Sequence, residues 1–198
     1  MKKMNTKSFT MVVLLLVIVG LGYYTHLNNQ TNKKNEKSSP SEKQQLLEYD
    51  FEKNYPKTVR ETVKLHCKYL KNAYNGKFEE DELYTVNSNI RQLFDEELLA
   101  YNSEEQQLQG LKTDIALYKD KKQKFTGYSL EEASQIQYNT EDGREYAKTT
   151  VTLNFSISST AVSVEQEYLL RKDNDGKWKI LGWQTVEPAS GKTEGDVK

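Results

Sequence analysis

The chain has 198 residues, of which 36% are hydrophobic and 29% charged, with a mean hydropathy of -0.83. That size gives room for one ordinary globular domain with extensions, and that hydropathy excludes a protein built of many membrane spans. The formal net charge is -1, but the residues ahead of position 46 carry roughly +5 and leave the folded part near -6, a balance that argues against nucleic acid as a partner.

Residues 1–8 form a short basic tail containing Lys2, Lys3 and Lys7. Residues 9–24 are uncharged and strongly apolar from Met11 to Leu21, and they end on Tyr23 and Tyr24, aromatics of the kind that favour a membrane interface. Sixteen residues of helix span about 24 Å, somewhat short of the roughly 30 Å hydrocarbon core. Two readings follow: an uncleaved transmembrane signal anchor with the lysines inside, or a signal peptide cut after Gly22, where Gly20 and Gly22 form a small-x-small pair. The anchor ranks first, because bulky Tyr23 and Tyr24 follow that pair directly. Either reading places the rest of the chain outside the cytoplasm, at the cell membrane or secreted. The single cysteine, Cys67, is far beyond the apolar run, which excludes a lipoprotein anchor there and any intrachain disulfide.

Residues 25–45 read as a disordered linker, since the stretch from Asn28 to Gln45 holds no large apolar side chain able to offset the entropy of ordering. A domain over 46–187 and a disordered tail over 188–198 complete the organisation. Within the domain, Tyr55, Val59, Val63, His66 or Cys67, Leu70 and Tyr74 recur at three- and four-residue spacing and predict an amphipathic helix, with Pro56 in its first turn and Asn75-Gly76 at its end. A second helical stretch runs from about Asp81 to Ala100, with a break expected at Val86 to Asn89. A third starts at Ser103, where Ser-Glu-Glu-Gln has capping-box spacing, and runs to Asp120.

After Lys124 the period changes to two. Ala147, Thr149, Val151, Leu153, Phe155 and Ile157 alternate with polar residues as in a long half-buried strand. Including Phe125 to Tyr138, Val162 to Leu170 and Trp178 to Trp183, the pattern predicts four antiparallel strands in a meander. The fold class is therefore α+β: about three N-terminal helices packed on a curved four-stranded antiparallel sheet, cone-like, preceded by a single N-terminal hydrophobic helix.

That order, together with Asp175-Gly176-Lys177-Trp178-Lys179-Ile180-Leu181-Gly182-Trp183 at its end, resembles the nuclear transport factor 2-like (cystatin-like) cone fold. Leu93-Phe94-Asp95-Glu96-Glu97-Leu98-Leu99 and Leu169-Leu170-Arg171-Lys172-Asp173 further resemble an uncharacterised family of Gram-positive secreted or membrane-anchored proteins. The resemblance spans about Glu52 to Val186 and implies a long first helix packed in the concavity of a bent sheet. It implies no particular activity, because such cones host enzymes, binding modules and secretion parts alike.

Inward-facing candidates for a ligand pocket are His66, Tyr69, Tyr74 and Trp183, with no catalytic set among them. His66 is the only histidine in the domain and reads first as a helix-flank side chain with a satisfied hydrogen bond. No spacing of His, Cys, Asp and Glu suggests a metal site or cofactor, and Asp173 to Gly176 departs from a calcium loop by placing Lys177 and Gln184 at ligand positions. The expected function is a membrane-tethered extracytoplasmic binding or assembly module, with the membrane and a cell-envelope protein as partners and a homodimer as an open assembly state. Two alternatives stand beside it: an acid-base enzyme for a small hydrophobic molecule bound in the cone, and a scaffold component of a conjugation or secretion complex.

Overall fold

The computed structural model describes residues 40–186, so the apolar run at 9–24, most of the linker and the C-terminal tail lie outside the described residues. Two short helices come first, α1 (Glu42–Leu47) and α2 (Phe51–Asn54). The first of them begins inside the stretch read as linker. It is held there by Leu46, which is buried against the domain, and by the ion pair of Lys43 with Glu82.

Helix α3 (Val59–Tyr74) is the long first helix of the cone. It starts at a capping box, in which Glu61 N–H donates to Thr58 Oγ1 at 3.2 Å and Thr58 N–H donates to Glu61 Oε2 at 3.1 Å. Pro56 therefore lies ahead of the helix, because Thr58 satisfies the free amides better than an extended first turn would. Val59, Val63 and Cys67 are fully buried, and Gly76, with φ +64, turns the chain away just beyond Asn75.

The second helical stretch divides, but not at Val86 to Asn89. Helix α4 (Leu83–Arg91) runs through those residues, following a 3-10 turn at Glu80–Glu82. Its asparagines find tertiary partners: Asn87 donates to Glu104 O at 3.2 Å and Asn89 to Leu46 O at 3.0 Å. The break falls at Leu93 to Asp95, which leaves the helix to lie beside the last strand. Helices α5 (Glu96–Tyr101) and α6 (Glu104–Asp120) follow, the latter with the expected Ser103/Gln106 capping box.

Five strands, rather than four, form one antiparallel sheet: β1 (Gln123–Leu130), β2 (Gln137–Glu141), β3 (Arg144–Ile157), β4 (Thr160–Lys172) and β5 (Trp178–Thr185). The order is β1-β3-β4-β5, and β2 also pairs with β3. The stretch read as one strand from Phe125 to Tyr138 is split by a 3-10 turn at Ala133–Gln135. As a result β1 pairs with the Val151 to Ile157 half of β3, and β2 with its Arg144 to Lys148 half. Ala147, Thr149, Val151, Leu153 and Phe155 line the inner face against α3, as their alternation predicts.

Two bulges shape that face. One falls between Phe125 and Gly127, so that Phe125 and Tyr128 both face inward, opposite Phe155 and Leu153. The other lies in β5, where Leu169 pairs with Gly182 but Leu170 pairs with Ile180. Leu181 is the extra residue. Strict alternation from Ile180 would turn Trp183 outward; the bulge sets it opposite the buried Tyr168 instead.

The open edge of β5 is covered by Leu93 to Asp95, since Ile180 N–H donates to Leu93 O at 2.8 Å and Asp95 N–H donates to Ile180 O at 2.9 Å. Asp95 then caps α5 through Glu97 N–H at 2.9 Å and forms a two-point ion pair with Arg171 of β4, both residues being buried. Asp95→Ala removes the cap and leaves the Arg171 guanidinium buried without its main partner, at an expected cost of roughly 3–5 kcal/mol. Glu96→Ala, at an exposed site beside it, is expected to cost under about 0.5 kcal/mol. Urea unfolding of the two variants checks both values.

Candidate functional site

The inner face of α3, the turn at Phe94 and the bulged part of β5 meet around His66. The imidazole is 1% exposed and packs edge-on against Phe94 and Tyr168, with Trp183 at 5.0 Å between ring centres. His66 Nδ1 and the Tyr168 hydroxyl are hydrogen-bonded at 3.1 Å, the imidazole tautomer deciding which of them donates. Burial pushes the histidine down to about 3, so the ring is neutral at any ordinary pH. Burial also holds the Tyr168 hydroxyl well above its usual range and pushes the Cys67 thiol up to about 12. Cys67 is therefore a packed thiol and no nucleophile.

Above His66 opens a cavity of about 410 Å³. Its walls are Leu70 and Tyr74 from α3, Ile90 from α4, Leu98 from α5, Leu111 and Gly110 from α6, and Gly182 and Trp183 from β5. Asn102, Gln106, Gln107 and Asp114 supply its polar rim. All three rim amides are engaged, since Gln107 Oε1 accepts from Arg91 at 2.8 Å, Gln106 Oε1 accepts from Ser103 N–H at 3.2 Å and Asn102 donates to Leu98 O at 3.0 Å. Tyr74 donates its hydroxyl to Asp114 at 3.2 Å and stacks on Tyr118 at 4.4 Å between ring centres. Its hydroxyl is pushed far up by burial and then by the Asp114 charge. The chamber is thus apolar, floored by a neutral imidazole, with one carboxylate at its edge.

Of the four pocket candidates, the structure brings His66, Tyr74 and Trp183 to this cavity. It does not bring Tyr69, which is fully buried on another face of α3 and donates its hydroxyl to Leu46 O at 2.7 Å. Tyr69 lies only about 60° round the helix from His66, and the acceptor offered by Leu46 O draws its ring toward α1 instead of the cone. Phe94, Gly110 and Asp114 were not singled out by the sequence. Gly110 lies in the interior of α6 and was the one visible signal, because a helix-interior glycine calls for a reason. Among the described residues no group of three or more His, Cys, Asp and Glu side chains sits close enough to hold a metal ion.

The family model for Domain of unknown function (DUF6715) matches residues 1–183, and the chain belongs to that family. No curated protein matches it. Among solved structures, it is similar to the helical cell shape determining protein Pgp2 from Campylobacter jejuni, at 15% identity and a TM-score of 0.38, over 64% of this chain and 42% of Pgp2. The chain thus spans about two fifths of Pgp2. It is also similar to the transfer protein TraH from the Gram-positive conjugative plasmid pIP501, at 16% identity and a TM-score of 0.36, over 68% of this chain and 98% of TraH. A designed NTF2 chain aligns at 17% identity and a TM-score of 0.33, over 65% of this chain and all of its own length. Likeness at this level extends to neither activity nor partner.

The depressed His66 value has a testable consequence for stability. The unfolded chain takes up a proton at this histidine below about 6.5 while the folded chain does not, so the stabilising effect of a neutral His66 is complete above 6.5 and is lost as pH falls toward 3. Between pH 6.5 and 5, ahead of most carboxylates, stability is expected to fall by up to about 1.4 kcal/mol per unit from this group. His66→Gln is expected to flatten that slope. Urea midpoints at pH 7.5, 6.5 and 5.5 for both proteins measure it.

Proposed function

We propose that this DUF6715 chain is a membrane-tethered extracytoplasmic binding module of a Gram-positive cell envelope, whose cone cavity receives one compact apolar group. That group is a small hydrophobic molecule or an apolar side chain offered by an envelope partner. The observation that carries the reading is the cavity above His66: about 410 Å³ of chiefly apolar space with aromatic walls and a floor that cannot change charge at physiological pH. The basic flank and apolar run of residues 1–24 support the tether.

Binding ranks above turnover for a physical reason. A general acid or base near neutral pH needs a group that exchanges protons there. His66 and Tyr74 are both shifted away from that range, and Cys67 is sealed. A scaffold role in a conjugation or secretion complex is the assembly form of the same reading, with the partner's side chain as occupant. Among the described residues no helix is long and apolar enough to cross a membrane.

Gly110 provides the test. A Cβ at this position meets nothing within 4 Å, and the residue lies in a helix interior, where replacing glycine gains roughly 0.5–1 kcal/mol of helix stability. Gly110→Leu fills the mouth of the cavity without straining the fold. A neutral naphthylamine probe is expected to quench or shift Trp183 fluorescence on binding, and Gly110→Leu to weaken that binding at least about tenfold, the scale of one lost apolar contact set. Equal binding by the two proteins would remove the cavity as the site.

A further inference from the structure

The ends of α3 and α6 and the start of β1 meet in a second concavity, a groove of about 760 Å³. Its floor is aromatic, with Tyr74 stacked on Tyr118 and Phe125 beside them. Five lysines surround it: Lys71, Lys77, Lys119, Lys122 and Lys124. No carboxylate lines the groove, and none of the five lysines forms an ion pair among the described residues. Four are exposed and Lys71 is half-buried.

Local compensation is small. The acidic run that follows Lys77 is drawn elsewhere, with Glu80 paired to Lys112 at 3.1 Å and Glu82 to Lys43 at 2.7 Å. Asp114 faces the apolar cavity and accepts from Tyr74. The C-terminal carbonyls of α3 and α6 bring roughly one negative charge between them, a fraction of five. A groove that gathers like charges in a domain whose net charge is negative is suited to an anion from outside.

The position of the groove indicates which anion. The chain enters the domain at Glu42, whose carboxylate accepts from Asn72 at 3.3 Å and pairs with Lys68 at 3.5 Å. Asn72 O in turn accepts the N–H of Lys77 at 3.0 Å. The entry point is thus two hydrogen bonds, through Asn72, from Lys77 at the corner of the groove. The proposed tether would join the domain at this same end, which favours approach of the groove to a bilayer.

The geometry points to a second membrane contact: the lysine groove docks the domain on the phosphate headgroups of an anionic bilayer. This rests on the proposed tether through residues 9–24. Lysines near such a surface each shift the contact equilibrium by about fivefold, and the attraction decays within a Debye length, roughly 10 Å at 0.1 M salt. An apolar span together with a basic patch is a two-signal attachment of the kind that orients a protein as well as holding it.

The full chain tests it, because Cys67 is buried and a dye can be placed at Ala116→Cys beside the groove or at Thr140→Cys on β2, at the far end of β3. The protein is mixed with vesicles of phosphatidylcholine alone or with added phosphatidylglycerol, both carrying a headgroup quencher. Quenching at position 116 is expected to be at least about fivefold greater on anionic vesicles. It should vanish at high salt and in the Lys71→Gln, Lys77→Gln, Lys122→Gln, Lys124→Gln variant, return with arginine at the same four positions, and be absent at position 140. Equal quenching on both vesicles, or quenching that survives the four substitutions, overturns the proposal. Failure of the tether reads differently: the chain then does not float with neutral vesicles. Flotation with anionic vesicles alone, abolished by the four substitutions, would still support docking, whereas flotation with neither overturns it. Capture by soluble poly(glycerol phosphate) with no approach to anionic vesicles overturns it in favour of a polymer ligand.

Discussion

The seating of α3 on the concave face of the sheet is the contact on which the other features depend. Val59, Val63 and Cys67 fill the interior against strand side chains such as Val151 and Phe155, and each is removed from water almost completely. At about 25 cal/mol per Å² of apolar surface, burial of each such side chain contributes on the order of 1.5–3 kcal/mol, far more than any exposed ion pair of the domain. A helix fixed along that face dictates where His66 points. It also dictates that the imidazole is desolvated and therefore neutral.

The cavity above His66 is what remains where this packing stops. The turn at Leu93 to Asp95 leaves the helical path to cover the edge of β5, and the Asp95–Arg171 pair locks it there. The Leu181 bulge rotates Trp183 onto Tyr168, so an aromatic ring walls the space that a strictly alternating strand would have left to glycine. Helix α6 then approaches with Gly110 at the mouth, where a Cβ would meet nothing within 4 Å. Three local irregularities thus bound a cavity in an otherwise filled cone.

Charge shows a comparable contrast between the whole and the part. The folded region is acidic in sum, and from that sum alone a basic binding surface is not anticipated. Folding nevertheless brings Lys71 and Lys77 from one helix end together with Lys119, Lys122 and Lys124 from another, while the nearby glutamates are drawn to other partners. Coulombic effects at an interface fall off over about 10 Å, so the local arrangement, and not the total, governs what such a surface attracts.

Much of the fold was legible in the residues themselves. Three- and four-residue spacing from Val59 to Tyr74, the Ser103 capping box and the two-residue alternation of β3 are short-range patterns, and short-range physics decides them. The same holds for His66, Tyr74 and Trp183 as inward candidates, although for Trp183 the correct face required a bulge that alternation does not reveal. What the tertiary structure alone decided are the features that need a partner distant in sequence. The second helical stretch broke at Leu93 because β5 had an edge to fill, not at Val86 to Asn89, whose amides found carbonyls on α1 and α6. The first strand region became two strands because one long partner, β3, accepts both. Tyr69 left the pocket because Leu46 offered its hydroxyl an acceptor. In each case a residue's local preference was satisfied in more than one arrangement, and a contact with another element selected among them.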